Sequence, residues 1–310
     1  MYTTIEKVYH DIGAHGRALC YDLHMHSTMS DGVLAPETLV ERVAEAGIDV
    51  MALTDHDSID GVEAAVSAGS KLGVYVIPGA EISVSWQGGL LHILALDVDI
   101  NDQTLRQGLA LQRERREARA VAMGERLAAA GIKGCLEGAR SYADGPSIGR
   151  PHFAAHLVEG GFAKDKAAAF RKFLRPGKPG YVSCDWASLE TVISWIKSAG
   201  GRSVIAHPAR YRLTASKMAR LCEVFKALGG DGIEVVSGTH SAHENNMASG
   251  VARRFGLMAS KGSDFHDPLQ TWLGFGRLPV LPEDLTPVWH GWDHVSSGAA
   301  FHRGRMSSAG

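Results

Sequence analysis

The sequence predicts an α/β fold, a seven-stranded (β/α)7 barrel with an inserted helical cap. Three observations carry this reading. From residue 20 onward, short apolar runs bounded by Gly, Pro or Asp alternate with helical patterns. Seven such runs occur, mostly one helix apart, the order from which parallel strands close into a barrel. Between about residues 101 and 183 the alternation stops, and helical pieces richer in cations take over.

Each element follows from its residues. "CYDLHMHS" reads as the first strand, and "APETLVERVAEAG" as a helix with Pro36 in its first turn and Gly47 at its C-terminal cap. Leu39, Val40, Val43 and Ala46 give that helix its apolar stripe. "VMALTDHD" is the second strand; a helix through Val62, Val66 and Leu72 then stops at Gly73. "VYVIPGAEIS" and "LLHILALDVD" are strands three and four, joined by a tight "SWQGG" turn that lets strand four run antiparallel.

The interruption opens with "LQRERREARAVAMGERLAAAG", a long helix whose interleaved charges predict a solvated face. "GRPHFAAHLVEGG" and "AAAFRKFLRPGKPG" complete the cap. Alternation resumes with the helix "SLETVISWIKSAGG" and the strands "RSVIAHPAR", "GIEVVSG" and "GLMASKGSDFH". The expected layout is therefore a barrel from 20–100 and 184–288, a cap from 101–183, and an irregular tail from 289–310.

Bulk properties exclude several functions. With 310 residues, 45% of them hydrophobic and 21% charged, the chain reads as an ordinary soluble globular protein. A net charge of -2 without long one-sign blocks argues against gripping long nucleic acid, and leaves room for a small anion held by local cations. Cys20, Cys135, Cys184 and Cys222 are scattered and form no CxxC. Neither a signal-peptide core nor a membrane-length apolar run is present, so a reducing cytoplasm is the expected location. Oligomeric state is not legible.

The fifteen histidines are the unusual feature, because they and the carboxylates gather at strand ends. His24 and His26 lie two apart on strand one and so share a side, with Asp31 just beyond. His56 follows strand two within "TDHD", and Glu81 ends strand three. His207 ends the fifth strand, and Asp264 and His266 end the last. In a parallel barrel these ends face one way and build the active site. His92 stands at the start of strand four and reaches the same rim if that strand is antiparallel. Taken singly, each has a bland reading: Asp57 or Ser58 could cap a helix, and a lone histidine is usually structural. Nine such groups at one rim would repel and fail to ionise together, and divalent cations resolve that. Nine ligands exceed one four-coordinate zinc and suit two or three ions. The mixture without thiolate fits Mn²⁺, Fe²⁺ or Zn²⁺, and Mn²⁺ is the expected metal.

In order, "DLHMHSTMSDG", "LTDHDSIDG", "GAEIS", "HILAL", "AHPAR", "GIEVVSG" and "GSDFH" resemble the blocks of the PHP (polymerase and histidinol phosphatase) family within the wider amidohydrolase group. The resemblance spans residues 20–267. It implies a distorted seven-stranded barrel with a trinuclear metal centre. Carried over, one ion takes His24, His26, Glu81 and Asp264; a second shares Glu81 and adds His92 and His207; a third takes Asp31, His56 and His266. "GRPHFA", "GKPGYV" and "AHPARY" resemble the subgroup of 3′,5′-nucleotide bisphosphate phosphatases and 5′–3′ exoribonucleases acting on short RNA.

A phosphate substrate agrees with the cations. Pro151 suits a first helical turn and puts Arg150 at a helix N-terminus, where anions are favoured. Lys178 lies in a Pro/Gly turn, and Arg210 follows His207 by three residues. The three would clamp a phosphate that is not cleaved; the alternative is ordinary surface charge. His152 either orients a phosphate or caps its helix. The expected reaction is attack by a hydroxide bridging two ions on the 3′-phosphate of a nucleoside 3′,5′-bisphosphate, with His207 or a metal-bound water as the leaving-group acid and Asp264 at the ions. The rivals are the exoribonuclease, a histidinol phosphatase, and a non-catalytic PHP module. Tyr181, Trp186 and Trp272 are aromatics that could stack a base but more readily pack in a core.

Overall fold

The computed structural model describes residues 18–145, 147–270, 275–292 and 295. Its sheet runs in the order β1 (Tyr21–Met25), β2 (Val50–Leu53), β3 (Tyr75–Trp86), β4 (Gly89–Leu96), β6 (Arg202–Ile205), β7 (Gly232–Ser237), β8 (Met258–Gly262). A two-residue strand, β5 (Ala187–Ser188), pairs with β3 off this path. The ends meet where Met25 bridges Phe265; Asp264 N–H donates to the His24 carbonyl at 2.9 Å, and His26 N–H to that of Phe265 at 2.9 Å. The barrel of seven strands is thus nearly closed.

One strand breaks the parallel pattern. Gln87 and Gly88 both adopt positive φ, 47° and 76°, the backbone of a two-residue hairpin turn that matches strand twist. β4 is therefore antiparallel to β3 and to β6. In this register His92 faces Ser83, one pair beyond Ile82–Ile93 from the Glu81–Leu94 pair. The start of β4 reaches the rim built by the ends of the others. Glu81 itself does not end β3, which continues to Trp86.

The helices follow their signals. α1 (Pro36–Glu45) has Pro36 in its first turn, and Gly47 follows it at φ 73°. α2 (Val62–Leu72) stops at Gly73, also at φ 73°, a left-handed cap that a Cβ would strain. α3 (Gln103–Ala129) spans both parts of the molecule. Leu105 and Leu109 pack in the barrel core with Trp195 of α7 (Leu189–Ser198), whereas Met123 and Leu127 belong to a separate core with Phe153, Leu157 and Leu174. That second core unites α4 (Cys135–Arg140), α5 (Arg150–Glu159), α6 (Lys166–Ala169) and the wide turn Phe170–Leu174. α8 (Ala215–Ala227) and α9 (Ala242–Phe255) return to the barrel wall.

Two expectations need correction. The charged face of α3 is not wholly solvated: Gln112 is fully buried and Arg116 nearly so. Of the tail expected from 289, Trp289 and Trp292 pack into the core beneath the barrel, with Trp289 stacked on Tyr21 at 4.2 Å. Apart from Val295, the residues after 292 lie outside the described ones, as does Trp272.

Candidate metal centre and anion cavity

The rim is a packed cluster with Glu81 at its middle. Glu81 Oε1 lies 2.8 Å from His92 Nδ1 and 2.7 Å from His207 Nε2. Its Oε2 lies 2.9 Å from His56 Nδ1, 3.3 Å from His26 Nε2 and 3.5 Å from His24 Nε2. Asp264 Oδ1 sits 3.4 Å from His24 Nε2 and 3.3 Å from His26 Nε2. Asp31 faces His266 Nε2 at 3.3 Å and His56 Nε2 at 3.7 Å. All nine residues expected at the rim are brought together.

Three groups of potential ligand atoms, each mutually within 4.8 Å, emerge among the described residues. One is His24, His26, Glu81 and Asp264, the set expected for the first ion. Another joins His26 to Asp31, His56 and His266. The last is His56, Glu81 and His92, with His207 against the same Glu81. The donor set fits divalent ions by a direct observation. His24 Nε2, His26 Nε2, Asp31 Oδ1, His56 Nδ1, Glu81 Oε2 and Asp264 Oδ1 are buried without a hydrogen-bond partner. Buried polar atoms are ordinarily satisfied, and these converge. Nitrogen and oxygen donors without sulfur suit Mn²⁺, Fe²⁺ or Zn²⁺.

Protonation agrees. Burial works to raise the Glu81 carboxyl, yet His92, His56 and His24 hold it well below the usual carboxylate range. Asp31 and Asp264 are likewise held low against burial, by His56 and His266 and by His24 and Arg210 respectively. Burial pushes His26 down to about 3 and His92 to about 4, leaving neutral imidazoles. Against burial, Asp31 and Asp264 raise His266 to about 9, and Glu234 and Glu81 raise His24 well above its ordinary value. A bound cation competes for those two protons.

The backbone at the rim is strained where side chains must turn inward. Asp57, His207 and Asp264 have φ of 51°, 26° and 57°, positions that cost about 1–3 kcal/mol each for residues other than glycine. Further carboxylates that the sequence reading left unassigned hold the loops. Asp55 accepts from Ser27 N–H at 2.8 Å and from the hydroxyls of Ser27 and Ser30 at 2.6 Å each. Asp57 caps no helix; it accepts from Ser83 N–H at 2.7 Å and from Arg116 Nε at 2.6 Å.

Beside the cluster opens a cavity of about 370 Å³ that His56, Glu81, His92, Asp264 and His266 share with Arg116, Arg119, Arg150 and Arg210. Arg116 also donates to the Ser83 hydroxyl at 3.0 Å, and Arg210 pairs with Asp264. Arg119 and Arg150 have no carboxylate partner among the described residues. Burial, then the neighbouring Arg150 and Arg116, push Arg119 down to about 10; burial also lowers Arg150. Mutually repelling half-buried guanidiniums call for an anion.

The expected phosphate clamp changes membership. Arg150 stands in the first turn of α5 with Pro151 beside it, and both line the cavity. Arg210 lines it as well. Lys178 does not: its Pro/Gly turn carries it to the exposed outside of the cap. Arg116 and Arg119 of α3 stand there instead, one turn of helix apart in reach, with their guanidiniums 5.2 and 5.8 Å from the Trp186 ring centroid. Helical periodicity would have put both on the face with Gln112, but the charge run hid that face. His152 Nδ1 accepts from Gly149 N–H at 3.0 Å, so it caps α5.

The model of the PHP domain matches residues 22–123. The chain is 46% identical over 86% of its length, and 94% of the relative's, to a 3′,5′-nucleoside bisphosphate phosphatase from Chromobacterium violaceum. It is 43% identical over 89% of its length, and 94% of the relative's, to the 5′–3′ exoribonuclease Rnm from Salmonella typhimurium. A solved structure of an amidohydrolase from Chromobacterium violaceum with bound sulfate superposes with a TM-score of 0.84 at 45% identity, over 89% of this chain and 96% of that one. With the fold, the rim and near-complete alignment to these relatives in agreement, the chain belongs to the PHP family.

Proposed function

We propose that this chain is a metal-dependent phosphomonoesterase that hydrolyses the 3′-phosphate of nucleoside 3′,5′-bisphosphates to nucleoside 5′-monophosphate and phosphate. The observation that carries this is one cavity lined both by buried metal-ligand groups and by four arginines. The 46% identical relative bears the same activity in its name. We assign His24, His26, Glu81 and Asp264 to one ion, Glu81, His92 and His207 to a second, and Asp31, His56 and His266 to a third. Mn²⁺ is the expected metal. Divalent ions so held supply Lewis acidity, lowering the pKa of water and neutralising phosphate oxygens.

The remaining work belongs to side chains. Arg116, Arg119, Arg150 and Arg210 hold the 5′-phosphate and spend its binding energy on aligning the 3′-phosphate with the rim. His207, with Nε2 on Glu81 and Nδ1 buried, serves as a ligand and not as the leaving-group acid. The substrate is a small nucleotide, and the near-neutral net charge supports no grip on long duplexes. No helix among the described residues is long and apolar enough to cross a membrane; we take the cytoplasm as the site of action.

A second reading has its own support. A groove of about 900 Å³ continues past Arg119, Arg150 and Arg210 along Trp86, Tyr181 and Lys217. Cations with interleaved aromatics suit a short single strand, which favours the 5′–3′ exoribonuclease. A product assay with Mn²⁺ decides between them, offering adenosine 3′,5′-bisphosphate and a 5′-phosphorylated dinucleotide in parallel. Phosphate and 5′-AMP from the bisphosphate alone support the phosphatase. Cleavage of the dinucleotide at an equal or higher rate makes the chain an exonuclease, and no release from either rejects both.

A further inference from the structure

We propose that Glu234 on β7 is a positioning residue that aims two metal ligands from two other strands, His24 on β1 and His207 after β6. This rests on the metal centre proposed above. Glu234 is fully buried and stands outside the cavity, so it meets neither substrate nor ion. Its Oε1 lies 2.8 Å from His24 Nδ1, and its Oε2 accepts the backbone N–H of His207. No lysine or arginine pairs with it among the described residues; its ion-pair contact is His24.

Each contact fixes something different. A carboxylate oxygen accepts, so Nδ1 keeps a proton and Nε2 is the nitrogen left to a cation. Nε2 is the very atom that lacks a hydrogen-bond partner, 3.4 Å from Asp264 Oδ1 and 3.5 Å from Glu81 Oε2. The second contact pins His207 at φ 26°, ψ 61°, a sparsely populated backbone that turns its ring toward Glu81. Space for the pair is kept by Gly262 of β8, where an added Cβ would fall 2.2 Å from His24 Cβ and 2.9 Å from Glu234 Oε1. Three neighbouring strands thus serve one carboxylate–imidazole contact.

The test is Glu234→Gln in the full chain, stripped with chelator and titrated with Mn²⁺ while free Mn²⁺ is read by electron paramagnetic resonance. The amide offers one acceptor and one donor. Either its NH₂ opposes the His207 N–H, or it donates to His24 Nδ1 and drives the proton onto Nε2. The expected result is Mn²⁺ affinity weaker by about 10–100-fold. Unchanged affinity, with or without a lower melting temperature of the stripped protein, overturns the proposal and leaves Glu234 a packing residue. Should the variant not fold, long-range ¹H–¹⁵N spectra of Zn²⁺-loaded wild-type protein report the His24 tautomer. Protonated Nδ1 supports the proposal, and protonated Nε2 overturns it. Neither readout involves a nucleotide, so failure of the phosphatase assay leaves this result standing.

Discussion

The barrel rim and the cap wall face each other across one cavity, yet they are built on opposite principles. At the rim, each side chain's position follows from strand register: His24 and His26 share a side because they are two apart, and His92 reaches them because a two-residue turn reverses β4. On the cap wall, Arg116, Arg119 and Arg150 come from two helices, α5 packed in the cap core and α3 shared between that core and the barrel's. The rim is a matter of local geometry, the cap wall of tertiary docking. In the proposed function the rim sets what chemistry is done, and the cap sets on which molecule.

This contrast can be tested by breaking each side separately. The largest effect belongs to Glu81→Gln, since Glu81 contacts five histidines from three strand ends, those of β1, β2 and β6, and from the start of a fourth strand, β4. Activity on adenosine 3′,5′-bisphosphate should fall by about 10³-fold or more, beyond the 10–100-fold typical of outer-shell partners. Metal analysis should show fewer bound ions. Retained metal with retained activity would remove Glu81 from the centre of the site.

Next comes Arg150→Ala, which strikes the cap wall alone. Loss of a charged hydrogen bond worth about 1.5–3 kcal/mol lowers kcat/KM for the bisphosphate by about 10–150-fold. Adenosine 3′-phosphate, which lacks the 5′-group, should be hydrolysed at an unchanged rate by wild type and variant. Equal losses on both substrates would mean that Arg150 acts on the reacting phosphate. The smallest effect is that of Lys178→Ala, expected to stay within about twofold and to shift stability by less than about 0.5 kcal/mol, as for an exposed side chain without a partner role.

The same contrast explains what the sequence revealed. Strand order, the reversed β4 and all nine rim residues were readable, because alternation and turn chemistry act over two to five residues. Arg116 was not readable. Its neighbours Arg113, Glu114, Arg115 and Glu117 are what a solvated helix shows, and only Asp57 and Ser83, brought over by β3 and the loop after β2, turn it inward. Lys178 erred the other way: a Pro/Gly turn says that the chain bends there but not which way it points. Glu234 lay inside a recognised block, yet nothing in "GIEVVSG" marks one alternating residue as the partner of His24, roughly 210 positions away.

The seam between β1 and β8 has a consequence for the protein's birth. Asp264 and His266 leave the ribosome roughly 240 residues after His24. At about 5–20 residues per second, that delay is roughly 10 to 50 s. By its end the growing chain carries seven of the nine rim residues and no means of closing the ring. A chain that ends before β8 lacks Asp264 and His266 and is expected to show no nucleotide hydrolysis, which a product assay on the truncated chain checks.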